Sequence, residues 1–174
     1  KAFRDRCSRV AAGLAKLGVG PGDRISWQLP TWIESAVLAG ALARLGAVQN
    51  PILPIYRKRE LGQILSEVRP QLLVVPSVWR GFDYQAMAES VVAGSGTRVV
   101  VCDRALPEAD RAILAPAPRS TFDPDAIRWI LYTSGTTSAA KGALHSDASI
   151  AAGALGVSTS LEIGADDRWA IPFP

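Results

Sequence analysis

The stretch IRWILYTSGTTSAAKG, residues 127–142, is decisive for the fold because it joins an apolar segment to a hydroxyl-rich loop that ends in one lysine. The apolar part is typical of a buried β-strand. In the loop, hydroxyl groups and backbone N–H groups can surround an anion, Gly135 can bend freely, and Lys141 can neutralise the charge. We therefore predict a phosphate-binding loop at the carboxyl end of a strand. The hydroxyl groups that we predict to bind the anion belong to Thr133, Ser134, Thr136 and Thr137.

The composition is globular and fits small anionic partners. The chain has 174 residues, is 48% hydrophobic and carries a net charge of +3, and this length is sufficient for one ordinary domain core. The arginines are spread along the chain, without the basic runs that bind nucleic acid. We therefore expect small-molecule partners and no nucleic acid.

The cysteines and the apolar stretches indicate the compartment. Cys7 and Cys102 each lie inside a predicted regular element, which favours two buried thiols over a disulfide or a metal site. The longest apolar stretch lies between Glu34 and Arg44 and is too short to span a bilayer. No basic and apolar leader opens the chain. We expect a cytoplasmic protein without a transmembrane segment.

Helical and strand patterns alternate in the first hundred residues. Apolar residues at helical spacing predict an opening helix, a second helix over residues 32–45, a third that ends before Pro70 and a weaker fourth that ends at Gly94. Strands that are apolar throughout separate these helices, which predicts an α/β fold with a mostly parallel sheet and helices on both faces. The predicted strands cover residues 25–29, 47–51, 72–75 and 98–102. Ligands are expected at the carboxyl ends of such strands.

Three regions follow one another along the chain. Residues 1–102 form the βαβ-type region, and residues 126–174 form the phosphate-loop region with a further helix over 149–160 and a strand over 169–173. Residues 103–125 are predicted to be an irregular connection, because four prolines interrupt them and no periodicity is present. We interpret the whole chain as one partial domain.

Local patterns predict how two helices begin. Thr31 is followed three residues later by Glu34, so the threonine hydroxyl is expected to accept from the Glu34 amide while the Glu34 carboxylate accepts from the cap N–H. Asp147 is predicted to cap the helix over residues 149–160. His145 is interpreted as a solvent-facing or packing residue and not as a catalytic base.

Two other interpretations of the loop are weaker. A Walker-type loop needs glycine, four spacers, and then glycine, lysine and a hydroxyl residue. Gly135 and Lys141 have that spacing, but Ala140 occupies the position of the second glycine and Gly142 that of the magnesium-binding hydroxyl. A polar turn without a ligand is the other alternative, and eleven residues in this order are unusual for one.

Residues 132–142 resemble the phosphate-loop signature of the adenylate-forming superfamily, which includes acyl-CoA synthetases, luciferases and peptide-synthetase adenylation domains. Residues 18–25 (GVGPGDRI), the helix over residues 32–46 with the Ala47-Val48 that follows it, and Arg59-Glu60-Leu61 resemble landmarks of the amino-terminal region of these ligases. The segments at residues 27–30 and 49–51 look more like carboxylate–CoA ligases of aliphatic or cyclic acids. The loop departs from the family pattern at Ser138 and Ala140, where glycine and proline are common.

The resemblance implies ATP-dependent activation of a carboxylic acid to an acyl-adenylate, followed by thioester formation with coenzyme A. It implies ATP with Mg²⁺ as the bound nucleotide, and coenzyme A and the carboxylic acid as the other small-molecule partners. The loop is expected to hold the β- and γ-phosphates, and no catalytic residue or metal ligand is assigned in the chain. The implied binding residues are Thr133, Ser134, Gly135, Thr136, Thr137, Lys141 and Gly142.

The resemblance covers only the amino-terminal part of such a ligase. We therefore expect these 174 residues to be an inactive fragment, and a homo-oligomer is a further hypothesis. A non-catalytic nucleotide-binding or packing remnant and an adenylation unit for a carrier protein remain as alternatives.

Overall fold

The computed structural model describes residues 1–114, 123–133 and 140–168, and helices alternate with strands through most of them. The helices are α1 (Ala2–Lys16), α2 (Ile33–Leu45), α3 (Lys58–Val68), α4 (Tyr84–Val92) and α5 (Asp147–Ser160). The strands are β1 (Arg24–Trp27), β2 (Val48–Pro51), β3 (Leu72–Val75), β4 (Val78–Trp79), β5 (Phe82–Asp83), β6 (Arg98–Val101), β7 (Ile127–Thr133) and β8 (Lys141–Ser146). The strand predicted over residues 169–173 lies outside the described residues.

Six strands form one sheet in the order β6-β3-β1-β2-β7-β8. In this sheet the pairs β6–β3, β3–β1, β1–β2 and β2–β7 are parallel and β7–β8 is antiparallel, while β4 and β5 form a separate antiparallel pair. The predicted α/β fold with a mostly parallel sheet is therefore confirmed. Because β7 is parallel to β2, the end of β7 at Thr133 lies at the carboxyl edge of the sheet.

Helices cover both faces of the sheet, and β3 shows why. Its successive side chains point to opposite faces, so that Leu72 and Val74 join a cluster with α1 and α2, while Leu73 and Val75 join a cluster with α3 and α4. All four are fully buried. Each large apolar side chain buried in this way stabilises the fold by about 1.5–3 kcal/mol.

The segment that follows β6 crosses the outer side of α1. A Cβ placed on Gly13 would lie 2.1 Å from the Pro107 carbonyl oxygen, so only glycine allows the two backbones to approach this closely. Glu108 bonds to the guanidinium groups of Arg6 and Arg9, at 3.3 Å and 2.7 Å. These ion pairs fix the segment against the helix.

The predicted starts of two helices need correction. The N-cap of α2 is Trp32, and the Glu34 carboxylate accepts from the Arg6 guanidinium at 3.1 Å instead of returning to the cap. The N-cap of α5 is Ser146 and not Asp147, because the Ser146 and Ser149 hydroxyls each accept from the other residue's amide. At α2 the distant Arg6 binds the Glu34 carboxylate that was expected to cap. At α5 the neighbouring Ser146 takes the capping position that was expected for Asp147.

Candidate functional site

The site is built on a β-hairpin at the carboxyl edge of the sheet. β7 ends at Thr133 and β8 begins at Lys141, and these two residues are directly opposite each other in the antiparallel pair. Both side chains are exposed. Among the residues that the structure describes, no carboxylate lies within salt-bridge distance of Lys141. The ammonium group is therefore available to an anion at this edge.

The predicted binding residues divide into two groups. Thr133, Lys141 and Gly142 lie in the hairpin, at the ends of the two strands. Their assignment as phosphate-binding residues stays a prediction. The other predicted residues, Ser134, Gly135, Thr136 and Thr137, lie outside the described residues.

Gly142 has a steric role in the hairpin. It pairs with Tyr132 across the two strands, and a Cβ on Gly142 would lie 3.1 Å from Cζ of the Tyr132 ring and 3.2 Å from Cγ2 of Ile130. Such distances are tighter than ordinary van der Waals contact. The absent side chain therefore lets the tyrosine ring lie close to the backbone of β8, next to Lys141.

Side chains of α3 reach β7 and the residue just before β8. The Tyr132 hydroxyl donates to Oε2 of Glu67 at 2.6 Å, and Nε2 of Gln63 donates to the carbonyl oxygen of Ala140 at 3.4 Å. Burial, together with the Glu67 carboxylate, raises the pKa of Tyr132 above its usual value. The tyrosine is consequently a protonated donor at neutral pH.

A buried polar relay ties β7 to the sheet. The Ser26 hydroxyl donates to Oδ1 of Asn50 at 2.8 Å, and Nδ2 of Asn50 donates to the Ile130 carbonyl oxygen at 2.8 Å. Ser26 and Asn50 are fully buried. Sequence reasoning assigned no role to Asn50, although an amide side chain inside a buried strand is a signal that a polar partner is present.

Next to the hairpin lies a mostly apolar cavity of about 320 Å³. It opens at the carboxyl ends of β1, β2 and β7, which is where ligands bind in parallel α/β sheets. Sequence reasoning missed this cavity, because three strands that are separate in the chain contribute to it. The lining residues are Trp27, Leu29, Pro30, Thr31, Ser35, Pro51, Ile52, Leu53, Pro54, Leu131 and Tyr132.

The histidine and the two cysteines are not among the predicted phosphate-binding residues. His145 is half-buried, with Nδ1 3.4 Å from the Ser149 hydroxyl at the start of α5, and its interpretation as a non-catalytic residue stays a prediction. Cys7 and Cys102 are free and buried, as predicted, and burial raises the pKa of Cys102 to about 11. A thiol in this state is a poor nucleophile.

In the part of the chain that the structure describes, none of the helices combines the length and the apolar character that crossing a bilayer requires.

Sequence comparison finds known proteins that are similar to this chain. The sequence model of the AMP-binding enzyme family matches residues 1–174. A 2-hydroxy-7-methoxy-5-methyl-1-naphthoate–CoA ligase of Streptomyces carzinostaticus is 38% identical over an alignment of 149 residues, and the match covers 76% of this chain and 27% of that protein. A salicyl-AMP ligase / salicyl-S-ArCP synthetase of Mycobacterium tuberculosis is 38% identical over an alignment of 141 residues, and the match covers 76% of this chain and 25% of that protein.

A solved structure supports the same placement. The ATP-bound MatB of Rhodopseudomonas palustris superimposes with a TM-score of 0.75 and 28% identity, over 95% of this chain and 33% of that one. The chain thus spans only about a quarter to a third of the length of the proteins it matches. The match over all 174 residues, together with the parallel sheet and its hairpin, shows that the chain belongs to the AMP-binding enzyme family of adenylate-forming ligases.

Proposed function

We propose that this chain supplies the triphosphate-binding part of a ligase that activates a carboxylic acid with ATP. The observation that carries the proposal is the pairing of Thr133 with Lys141 at the carboxyl end of β7. That pairing places a hydroxyl, and an ammonium group that has no ion-pair partner within the described part of the chain, on the two strands that flank the hydroxyl-rich stretch. Such groups bind the oxygens of a phosphate chain by charge-assisted hydrogen bonds.

In the proposed reaction, a carboxylate oxygen attacks the α-phosphorus of ATP. A bond forms between that oxygen and phosphorus, the bond from phosphorus to the bridging oxygen breaks, and pyrophosphate leaves with the electron pair. Lys141 and the hydroxyls would hold the β- and γ-phosphates and stabilise the charge that grows on the leaving group. Mg²⁺ is proposed to enter with ATP and to neutralise part of its charge.

The acyl acceptor and the acid belong to the whole ligase. The two relatives are named for ligation to CoA and for a salicyl-S-ArCP product, so coenzyme A is the acceptor that we propose, with a carrier protein as the alternative. Both are named for aromatic acids, which supports a cyclic carboxylic acid as the substrate class. We propose that these 174 residues bind the nucleotide but do not catalyse steady ATP–pyrophosphate exchange by themselves.

Calorimetric titration of the chain with MgATP tests the phosphate site. Lys141→Ala is expected to weaken binding by about 10- to 100-fold, because a hydrogen bond to a charged group contributes about 1.5–3 kcal/mol. Lys16→Ala is the matched control, since Lys16 is an exposed lysine in the last turn of α1, before β1 and hence near the opposite edge of the sheet.

Equal MgATP affinity of the wild type and Lys141→Ala would contradict the proposal. It would favour the alternative of a packing remnant in which the loop binds no nucleotide. A loss of affinity in Lys16→Ala as large as that in Lys141→Ala would show that general charge, and not the hairpin, attracts the nucleotide.

A further inference from the structure

One helix, α3, is bonded to β7 and to the residue just before β8. On β7 the contact is made by Tyr132, the residue before Thr133, and on the other side it is made by Ala140, the residue before Lys141. The partners, Gln63 and Glu67, lie four residues apart on α3, one helical turn from each other. The two flanks of the predicted phosphate loop are therefore tied to a single rigid element.

The two helix side chains also bond to each other. Nε2 of Gln63 donates to Oε1 of Glu67 at 3.3 Å, while Oε2 of the same carboxylate accepts from the Tyr132 hydroxyl at 2.6 Å. Thus one carboxylate orients the glutamine and holds the tyrosine. We call Gln63, Glu67, Tyr132 and the Ala140 carbonyl the α3 clasp.

The α3 clasp buries little apolar surface, but its hydrogen bonds are directional. Glu67 is exposed and Gln63 is half-buried, so that the hydrogen bonds add little apolar burial. The core of α3 is instead formed by Leu61, Ile64, Leu65 and Val68. Because hydrogen bonds depend on angle as well as distance, these polar side chains determine where the hairpin lies against the helix, and not whether the helix folds.

We propose that Gln63 and Glu67 are positioning residues that hold both flanks of the phosphate loop in register with the sheet. The assignment rests on the proposed function. The Tyr132 ring lies against the backbone at Gly142, so the clasp also restrains the residue that follows Lys141. Displacement of a binding group by about 1 Å can cost a factor of about 100 in rate. We therefore expect the restraint to determine how well Thr133 and Lys141 are placed to bind a triphosphate.

The experiment compares MgATP affinity in variants of the full chain. Glu67→Ala and Tyr132→Phe are each expected to weaken binding about 5- to 10-fold while the unfolding midpoint changes little. Glu67→Gln keeps an oxygen acceptor for the tyrosine and is expected to restore affinity to within about twofold of the wild type. This rescue separates positioning by hydrogen bond from a general effect of charge.

α4 offers a matched control pair. Gln85 donates to Oε1 of Glu89 at 2.8 Å, with the same spacing and the same residue types, and Glu89 is exposed. No hydrogen bond joins this pair to β7 or β8 among the described residues. Glu89→Ala therefore removes an equivalent helix-surface pair and is expected to leave MgATP affinity unchanged.

Amide hydrogen exchange on β8 provides the second measurement, and it needs no nucleotide. Glu67→Ala is expected to accelerate exchange at residues 141–143 by about fivefold or more relative to Glu89→Ala. Unchanged affinity together with unchanged exchange in Glu67→Ala and Tyr132→Phe would overturn the inference. A wild type that binds no MgATP would overturn the proposed function instead, and the exchange measurement would still decide whether the clasp holds the hairpin.

Discussion

Residues 1–114 bury two clusters of apolar side chains, whereas β7, β8 and α5 bury only Ser146 among the residues that the structure describes. Leu38 of α2 is fully buried, while Leu155 of α5 is 67% exposed. The first region is held by apolar burial, which is large and non-directional. The hairpin is held by a few specific hydrogen bonds. Two of them, Asn50–Ile130 and Glu67–Tyr132, join β7 to β2 and to α3.

This difference separates stability from function. The packed region can lose little without unfolding, because each buried apolar side chain contributes to a small net stability. The hairpin buries few side chains, and it carries the side chains that are proposed to bind phosphate. Four experiments test this division, beginning with the one of largest expected effect.

A leucine-to-alanine pair tests the contrast in burial. Leu38→Ala is expected to reduce the free energy of unfolding by about 2–5 kcal/mol, because it removes a fully buried side chain and leaves a cavity. Leu155→Ala is expected to change it by less than about 0.5 kcal/mol. Urea denaturation measures both, and a comparable loss in Leu155→Ala would show that α5 is packed in solution.

Asn50→Ala tests the polar relay between the two regions. The substitution leaves the Ser26 hydroxyl and the Ile130 carbonyl oxygen buried without their partner, which is expected to cost about 1–3 kcal/mol. The loss should be visible by urea denaturation and should be accompanied by faster amide exchange in β7. Asn50→Asp is a useful comparison, since it keeps the acceptor for Ser26 and removes the donor to Ile130.

Gly13→Ala tests the close approach of backbone to α1. Alanine favours a helix interior over glycine by about 1 kcal/mol, but the added methyl group would overlap the Pro107 carbonyl oxygen. We expect the overlap to dominate, with a net loss of about 1–3 kcal/mol in the free energy of unfolding. An increase in the denaturation midpoint would show that the crossing segment moves away without penalty.

Gly153→Ala is the same substitution in the exposed helix, and its effect should have the opposite sign. Nothing lies within 4 Å of a Cβ at Gly153, so only the helix preference of alanine acts. We expect a gain of about 0.4–1 kcal/mol, measured by the same denaturation experiment. A loss would indicate that this face of α5 contacts another surface in solution.

The sequence alone predicted much of the hairpin's surroundings. Apolar runs separated by helical patterns predicted the parallel sheet, and the strand over residues 127–132 preceded the loop as expected. Gly46 ends α2 in the left-handed conformation, with φ of 69°, which is the usual role of glycine after a helix. These features were predictable because periodicity and end signals act within a window of about 15 residues.

Local patterns failed where distant groups compete. The expected capping box at α2 did not form as predicted, because the Glu34 carboxylate bonds to Arg6, which is 28 residues away. Asp147 was expected to cap α5 but accepts from Nε1 of Trp129 at 2.9 Å. In each case the carboxylate accepts a hydrogen bond from a side chain that the fold brings near, and not from the backbone amides at the start of the helix.

By itself, the sequence determined the alternation of the longer helices and strands up to β7 and the hydroxyl-rich stretch that ends at Lys141, because both are encoded by neighbouring residues. It did not predict β4, β5 or β8. Only the tertiary structure decided that Thr133 faces Lys141, that Asn50 holds β7, and that α3 bonds both flanks of the hairpin. The residues of the Glu67–Tyr132 and Asn50–Ile130 contacts are 65 and 80 positions apart. Contacts of that range depend on the path of the whole chain, for which local propensity carries no information.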